Sequence, residues 1–172
     1  GVIGAASQFH IKRILSFHII SQIGYMLMGL AIFTPLAITG AIFYIIHHII
    51  VKANLFLIGG YLEKRFASDN LYDMGSMYKS MPLLAFLFLI PAFALSGFPP
   101  FSGFWGKLFV IKASLQTQHY LLAATALLVG LITIFSMSKI WNMAFWQPVT
   151  KPEANTSITR IEKIGYLAPI IS

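Results

Sequence analysis

Basic side chains occur inside long apolar stretches of this sequence, where no carboxylate accompanies them. The run AIFYIIHHIIVKANLFLIGG contains His47, His48 and Lys52 near its middle, and no Asp or Glu occurs within 14–62 or 81–146. A charge at the centre of a bilayer costs at least about 2.5–3.5 kcal/mol, and such residues usually face a protein interior or water. These basic residues are therefore candidates for a functional site.

Proton transfer is the chemistry that this spacing favours. His48 and Lys52 are one helical turn apart and share a helix face, and burial beside a second cation makes the proton of a lysine easier to release. We predict that both residues belong to a proton relay, with His47 as a possible secondary member. The alternative is that Lys52 pairs with an acid elsewhere and only links helices. Adjacent His47 and His48 diverge by about 100° on a helix, so we expect no metal site there.

A second candidate site surrounds consecutive prolines in the run PAFALSGFPPFSGFWGKLF. Pro99 and Pro100 cannot continue a regular helix, and Gly97 and Gly103 permit non-helical geometry beside them. A helix broken within a membrane exposes polar backbone groups, which is tolerated where they are buried in protein or line a cavity. Lys107 follows within two turns, so we predict that it reaches this broken-helix pocket as a member of the relay. The alternative is a simple kink.

Two further basic residues are possible secondary members of the relay. His18 lies in FHIISQIGYM beside polar residues, where a lone histidine more often forms an interhelical hydrogen bond. Lys139 lies within about two turns of Trp146, and we expect its side chain to reach the membrane interface.

Four apolar blocks must position these residues, and each is long enough to cross about 30 Å of hydrocarbon as a helix. Hydrophobic residues form 58% and charged residues 10% of the 172 residues, against about 45–50% and about 25% in soluble domains. Continuously apolar runs do not fit barrel strands. We therefore predict an all-α, polytopic transmembrane helix bundle in a lipid bilayer, forming one domain over 1–172, with spans at 14–33, 36–62, 82–111 and 120–146.

The ends and the loops add two expectations. Residues 1–8 and 164–172 look like truncated spans, so we expect a fragment of a longer membrane protein. Loops 63–80 and 147–163, with the start of the first span, carry eight Lys and Arg residues, against Lys112 on the other side. The positive-inside rule predicts that both loops are cytoplasmic. The net charge of +7 is spread between apolar blocks, so we expect no binding of nucleic acid.

Three runs resemble the proton-conducting antiporter family: IKRILSFHIISQIGYM, HHIIVKANLFLIGG and SGFPPFSGFWGK, in the family's order. The family comprises the large antiporter-like subunits of respiratory complex I and the A and D subunits of Mrp-type cation/proton antiporters. The second run and the lysine after FWG look closest to the D subunits. The resemblance implies a fourteen-helix protein of two inverted five-helix repeats, of which this sequence would hold the end of helix nine to the start of helix fourteen.

The resemblance also implies functional residues. The family's histidine and lysine of helix eleven fall on His48 and Lys52, and the ionisable residue of broken helix twelve falls on Lys107, where some complex I relatives carry a glutamate. A glutamate of helix five and lysines of helices seven and eight would precede this sequence, which would hold half of the relay. Some complex I relatives place a histidine after helix eleven, but the corresponding stretch here, RFASD, contains none. The sequence therefore does not identify the route between Lys52 and the cytoplasm.

The residues and the resemblance together predict a subunit of an Mrp-type Na⁺/H⁺ antiporter in the plasma membrane. It would be a secondary transporter, not an enzyme, with proton movement coupled to Na⁺ export, the other Mrp subunits as partners, and no cofactor. One alternative is a proton-pumping subunit of a respiratory or hydrogenase complex driven by electron transfer, which would make it part of a translocase. Another is a structural membrane scaffold whose lysines pair with acids of its neighbours.

Overall fold

The computed structural model describes residues 1–148, and helices dominate this part of the chain. No β-strand occurs within it, so the predicted all-α fold is confirmed. Most of the loop predicted at 147–163 and the apolar segment 164–172 lie outside the described residues. The helices are α1 (Val2–Ser7), α2 (Ile11–Ile32), α3 (Pro35–Phe66), α4 (Met77–Ser80), α5 (Pro82–Ser96), α6 (Ser102–Gln116) and α7 (Tyr120–Ile140), with a 3₁₀ turn at Leu71–Asp73 and a π-helical turn at Trp141–Trp146.

Three helices among the described residues are long and apolar enough to cross a membrane. They are α2, α3 and α7 with its π-helical turn, and they match the blocks predicted at 14–33, 36–62 and 120–146. The third predicted block, 82–111, instead consists of α5 and α6, each of 15 residues. A helix of that length rises only about 22 Å, less than the about 30 Å of a hydrocarbon core.

The break between α5 and α6, residues 97–101, lies where the prolines predicted it. Gly97 ends α5 with a φ of 83°, a left-handed conformation in which a residue without a Cβ is favoured. The Pro99–Pro100 peptide bond is cis, and α6 begins at Ser102. The chain therefore forms two separate helices here, and a simple kink does not describe it.

Helix α3 occupies the centre of the bundle and packs against α2, α5 and α6, while α7 packs against α1, α2, α5 and α6. The interior is mostly aliphatic and aromatic, with Leu15, Leu55 and Phe88 fully buried. Many large apolar side chains point outward instead; Leu131, for example, is 65% exposed. Exposed apolar faces on long apolar helices are what a lipid-facing surface requires.

One end of the bundle is held by polar contacts between the α1–α2 junction and the segment after α3. His10 Nδ1 lies 2.8 Å from a carboxylate oxygen of Asp69, and the backbone N–H of Leu71 donates to the carbonyl of Phe9 at 2.8 Å. Lys12 forms an ion pair with Glu63 beside them. Charged pairs at this end indicate that it lies near the membrane surface, because such groups are costly in hydrocarbon.

Candidate functional site

Lys107 turns its ammonium group back toward the break. Nζ donates to the carbonyl of Leu95 at 2.8 Å and lies 3.4 Å from that of Ser96. Both carbonyls belong to the last turn of α5, where helical partners are missing and the helix end carries partial negative charge. The break thus supplies the acceptors that a buried lysine needs.

Aromatic rings complete the surroundings of Lys107, which is only 6% exposed. Its Nζ lies 4.8 Å from the ring centre of Tyr25 and 5.8 Å from that of Tyr44, so α2 and α3 both contribute ring faces. No carboxylate contacts this ammonium within residues 1–148. Its partners among the described residues are therefore neutral.

Lys52 of α3 is likewise buried and bound to a main-chain carbonyl. It is 6% exposed, and its Nζ donates to the carbonyl of Leu15 on α2 at 2.8 Å. In the part of the chain that the structure describes, no acid pairs with it. The structure gives no direct contact between Lys52 and Lys107.

The paired histidines, His47 and His48, differ in the hydrogen-bond contacts of their rings. His47 Nδ1 lies 2.8 Å from Oγ of Ser102, the first residue of α6, so the predicted secondary histidine is the one that contacts the broken helix. The Nε2 atoms of both His47 and His48 are buried without a hydrogen-bond partner among the described residues. These residues contain no cluster of His, Cys, Asp and Glu that could hold a metal ion.

Gly103 allows the three helices of the site to approach each other closely. A Cβ at this position would lie 1.8 Å from the carbonyl oxygen of Ala94 and 2.7 Å from Nε2 of His47. Any side chain here would force α6 away from α3 and α5. Gly103 therefore permits the close packing of α6 against α3 and α5 beside the break.

Tyr44, like Tyr25, is a residue of this site that sequence reasoning missed. It is fully buried, and its ring centre lies 5.4 Å from that of His47 and 6.3 Å from that of His48. Its hydroxyl donates to the side-chain oxygen of Gln22, while its ring faces Lys107. The available signal was its spacing, three and four residues before the histidine pair.

The two remaining candidates lie on the α7 side of the bundle. His18 Nε2 is 2.9 Å from Oγ of Ser136, the interhelical hydrogen bond that its polar surroundings indicated. Lys139 binds main-chain groups at the end of the bundle near the membrane surface. Its Nζ donates to the carbonyls of Ala6 at 2.6 Å and Gln8 at 2.5 Å, so main-chain acceptors at the end of α1 hold it within the protein.

Comparisons with known proteins place these features in a family. Residues 1–136 match the family described as NADH:quinone oxidoreductase/Mrp antiporter, transmembrane. The chain is 51% identical, over 99% of its length, to the D subunit of the Na⁺/H⁺ antiporter of Alkalihalophilus pseudofirmus, and covers 34% of that protein. It is 34% identical, over 91% of its length, to the corresponding D subunit of Bacillus subtilis and covers 32% of it. The chain thus spans about a third of these relatives.

Solved structures share the fold. The Mrp complex from Dietzia sp. matches 87% of this chain with a TM-score of 0.83 and 44% identity, over 28% of the matched chain. Respiratory complex I from Thermus thermophilus with bound NADH matches 97% with a TM-score of 0.85 and 23% identity, over 35% of the matched chain. At that identity the second likeness concerns the fold alone.

Proposed function

Because this chain belongs to the NADH:quinone oxidoreductase/Mrp antiporter family of membrane proteins, we propose that it forms part of the D subunit of an Mrp-type Na⁺/H⁺ antiporter and contains half of that subunit's proton path. Its 51% identity to the D subunit of a Na⁺/H⁺ antiporter supports this assignment. The observation that carries it is the buried ammonium of Lys107, held by the carbonyls of Leu95 and Ser96 at the end of a broken helix.

Lys107 and Lys52 are the proton-binding groups of the proposed path. Each binds main-chain carbonyl groups, which accept hydrogen bonds from a protonated lysine and leave its amine free when the proton departs. A transporter needs groups that alternate between the two states. A lysine in a fixed ion pair would resist this change, because breaking a buried pair strands a charge.

His48 connects the two lysines in this proposal, with water completing the path. It precedes Lys52 by one turn, and its buried Nε2 has no partner among the described residues. A neutral imidazole accepts a proton at one nitrogen and donates from the other, so the ring relays a proton between groups on its two sides. The Nδ1 of His47 contacts Ser102, while its Nε2, like that of His48, has no partner among the described residues, so His47 is a possible secondary member of the path.

The proposal also specifies the direction of proton movement across the membrane and its coupling to Na⁺ export. With loops 63–80 and 147–163 in the cytoplasm, the lysines lie between the two surfaces of the plasma membrane. The remainder of the subunit would supply the other half of the path, and the other Mrp subunits would form the complex. Proton entry through this half is coupled to Na⁺ export elsewhere in the assembly.

The shared fold does not separate this proposal from a redox-driven subunit, so the driving force must be measured. In everted vesicles containing the full complex, we expect added Na⁺ to move protons without any electron donor. A requirement for NADH or quinol oxidation, with no response to Na⁺, would contradict the antiporter assignment and favour the respiratory or hydrogenase alternative. Vesicles from cells lacking the complex are the control.

A further inference from the structure

Polar side chains line the interface between α2 and α7, away from the broken helix. His18 and Gln22 of α2 and Thr133 and Ser136 of α7 are each 0% exposed. His18 Nε2 lies 2.9 Å from Ser136 Oγ, and Gln22 Nε2 donates to Thr133 Oγ1 at 3.5 Å. Apolar residues would fill such an interface without the cost of burying polar groups. A line of buried polar side chains at this interface therefore calls for a functional explanation.

Lys139 extends this line toward one end of the bundle. It lies three residues after Ser136, on the same face of α7, and its ammonium binds the carbonyls of Ala6 and Gln8 where α1 ends. The neighbouring pair of His10 and Asp69 is about one-third exposed. The line therefore begins near the membrane surface.

The other end of the line reaches the proposed relay at two points. Lys52 donates to the carbonyl of Leu15, which precedes His18 by less than one turn. The side-chain oxygen of Gln22 accepts a hydrogen bond from the hydroxyl of Tyr44, whose ring faces Lys107. His18 consequently lies between the end that Lys139 occupies and the two buried lysines.

Unsatisfied polar atoms occur along the same line. His18 Nδ1 and Ser21 Oγ are buried and have no hydrogen-bond partner among the described residues. A cavity of about 170 Å³ adjoins Ser21 and is lined in part by Ser21, Tyr25 and Thr125. Buried polar atoms are commonly paired by ordered water, and each water takes about 30 Å³ in the liquid. The cavity therefore has room for water beside the hydroxyl of Ser21.

We propose that Lys139, Ser136 and His18 form a second proton-transfer branch, which joins the end of the bundle at α1 to the relay of Lys52 and Lys107. This branch rests on the proposed function, because it has a role only if protons move through the relay. It supplies a route to Lys52 where the segment after α3, RFASD, lacks the histidine that some complex I relatives place there.

Proton transfer along the branch conserves charge and atoms. A proton leaves Nζ of Lys139 through water or the Ser136 hydroxyl and binds Nε2 of His18. The proton on Nδ1 then leaves through water toward Lys52, which accepts it as a free amine. Exchange of the ring tautomer restores His18 for the next proton.

Ser136→Ala tests the branch in the full complex, measured in everted vesicles, because it removes the only oxygen that contacts His18 Nε2 within residues 1–148. Ser138→Ala is the matched control, an exposed serine on the same helix. We expect Na⁺-dependent proton flux per assembled complex to fall about tenfold or more in Ser136→Ala, equivalent to about 1.4 kcal/mol of barrier. Ser138→Ala is expected to stay within about twofold of wild type.

Lys139→Arg separates proton transfer from a structural role. Arginine keeps the charge and the hydrogen bonds to the α1 carbonyls but does not release a proton, so we expect normal assembly and reduced flux. Normal flux in both Ser136→Ala and Lys139→Arg, beside an inactive Lys107→Ala, would overturn the branch and leave the proposed function standing. Normal flux in Lys107→Ala as well would overturn both. If Lys139→Arg does not assemble, the comparison of flux between Ser136→Ala and Ser138→Ala decides whether the branch exists.

Discussion

The ammonium of Lys107 in α6 binds the carbonyl of Leu95 in α5 at 2.8 Å, across the break between the two helices. A carbonyl that the helix leaves without a partner thus becomes the acceptor for a cation in the membrane interior. The broken helix and the lysine form one structural unit, and changes to either should affect the other.

Gly97→Ala tests that unit at the end of α5. A Cβ there would lie 2.9 Å from Cδ of Lys107, and the φ of 83° costs a residue with a side chain about 1–2 kcal/mol. We expect the Lys107 side chain to be displaced, so that Na⁺-dependent proton flux falls while most of the complex still assembles. Wild-type flux in the assembled variant would show that Lys107 tolerates the displacement.

Gly103→Ala should affect assembly more than Gly97→Ala does. The new methyl group would meet the Ala94 carbonyl at 1.8 Å, a backbone atom that cannot move aside without shifting α5. Overpacking of this kind costs about 1–3 kcal/mol, and we expect a lower melting temperature and less assembled complex.

Gly60→Ala is the matched control for this loss, because no atom lies within 4 Å of a Cβ at Gly60 in α3. The melting temperature of the purified complex should be unchanged or slightly raised in the control, since alanine is the better helix former. Equal effects of the two substitutions would contradict the packing described for Gly103.

Tyr44→Phe and Tyr44→Leu separate the two contacts of this buried ring. Phenylalanine keeps the ring face toward Lys107 but leaves the oxygen of Gln22 without its donor, which costs about 1–3 kcal/mol of stability. We expect Tyr44→Phe to lower the melting temperature and keep most of the flux per assembled complex. Leucine removes the ring as well, so flux should also fall. Equal flux in the two assembled variants would exclude a role for the ring.

Much of the architecture was readable from the sequence because hydrophobic length and backbone chemistry determine it. Three spans follow from continuous apolar runs. The break follows from Pro99 and Pro100, which remove backbone donors. Lys107 and Lys52 stood out because basic residues in an acid-free apolar block must find partners inside the protein.

The contacts of the site were not readable, because they depend on which helices become neighbours. Tyr44 resembles any other aromatic residue of a membrane helix until α2 and α6 pack beside it. The carbonyl partners of Lys139 were not readable, because nothing in the sequence places the end of α1 next to α7. The contact of His47 with Ser102 likewise depends on how α6 returns after the break.

The orientation predicted from the basic loops is testable by labelling, since this chain contains no cysteine. Lys79 follows α3 and His119 precedes α7, and both are exposed. We expect Lys79→Cys to react with a membrane-impermeant maleimide only from the cytoplasmic side, and His119→Cys only from the outer side. The reverse pattern would invert the proposed direction of the path, and the unsubstituted complex gives the background.

Na⁺-dependent proton flux in everted vesicles, compared between Lys107→Ala and Lys112→Ala complexes at matched assembly, is the sharpest test of the proposed proton path. Both lysines belong to α6, but Lys107 is buried at the break and Lys112 is exposed. A proton path through Lys107 predicts a loss of about tenfold or more in Lys107→Ala and near-normal flux in Lys112→Ala. Normal flux in Lys107→Ala would contradict the proposed proton path and leave the broken helix with a structural role only.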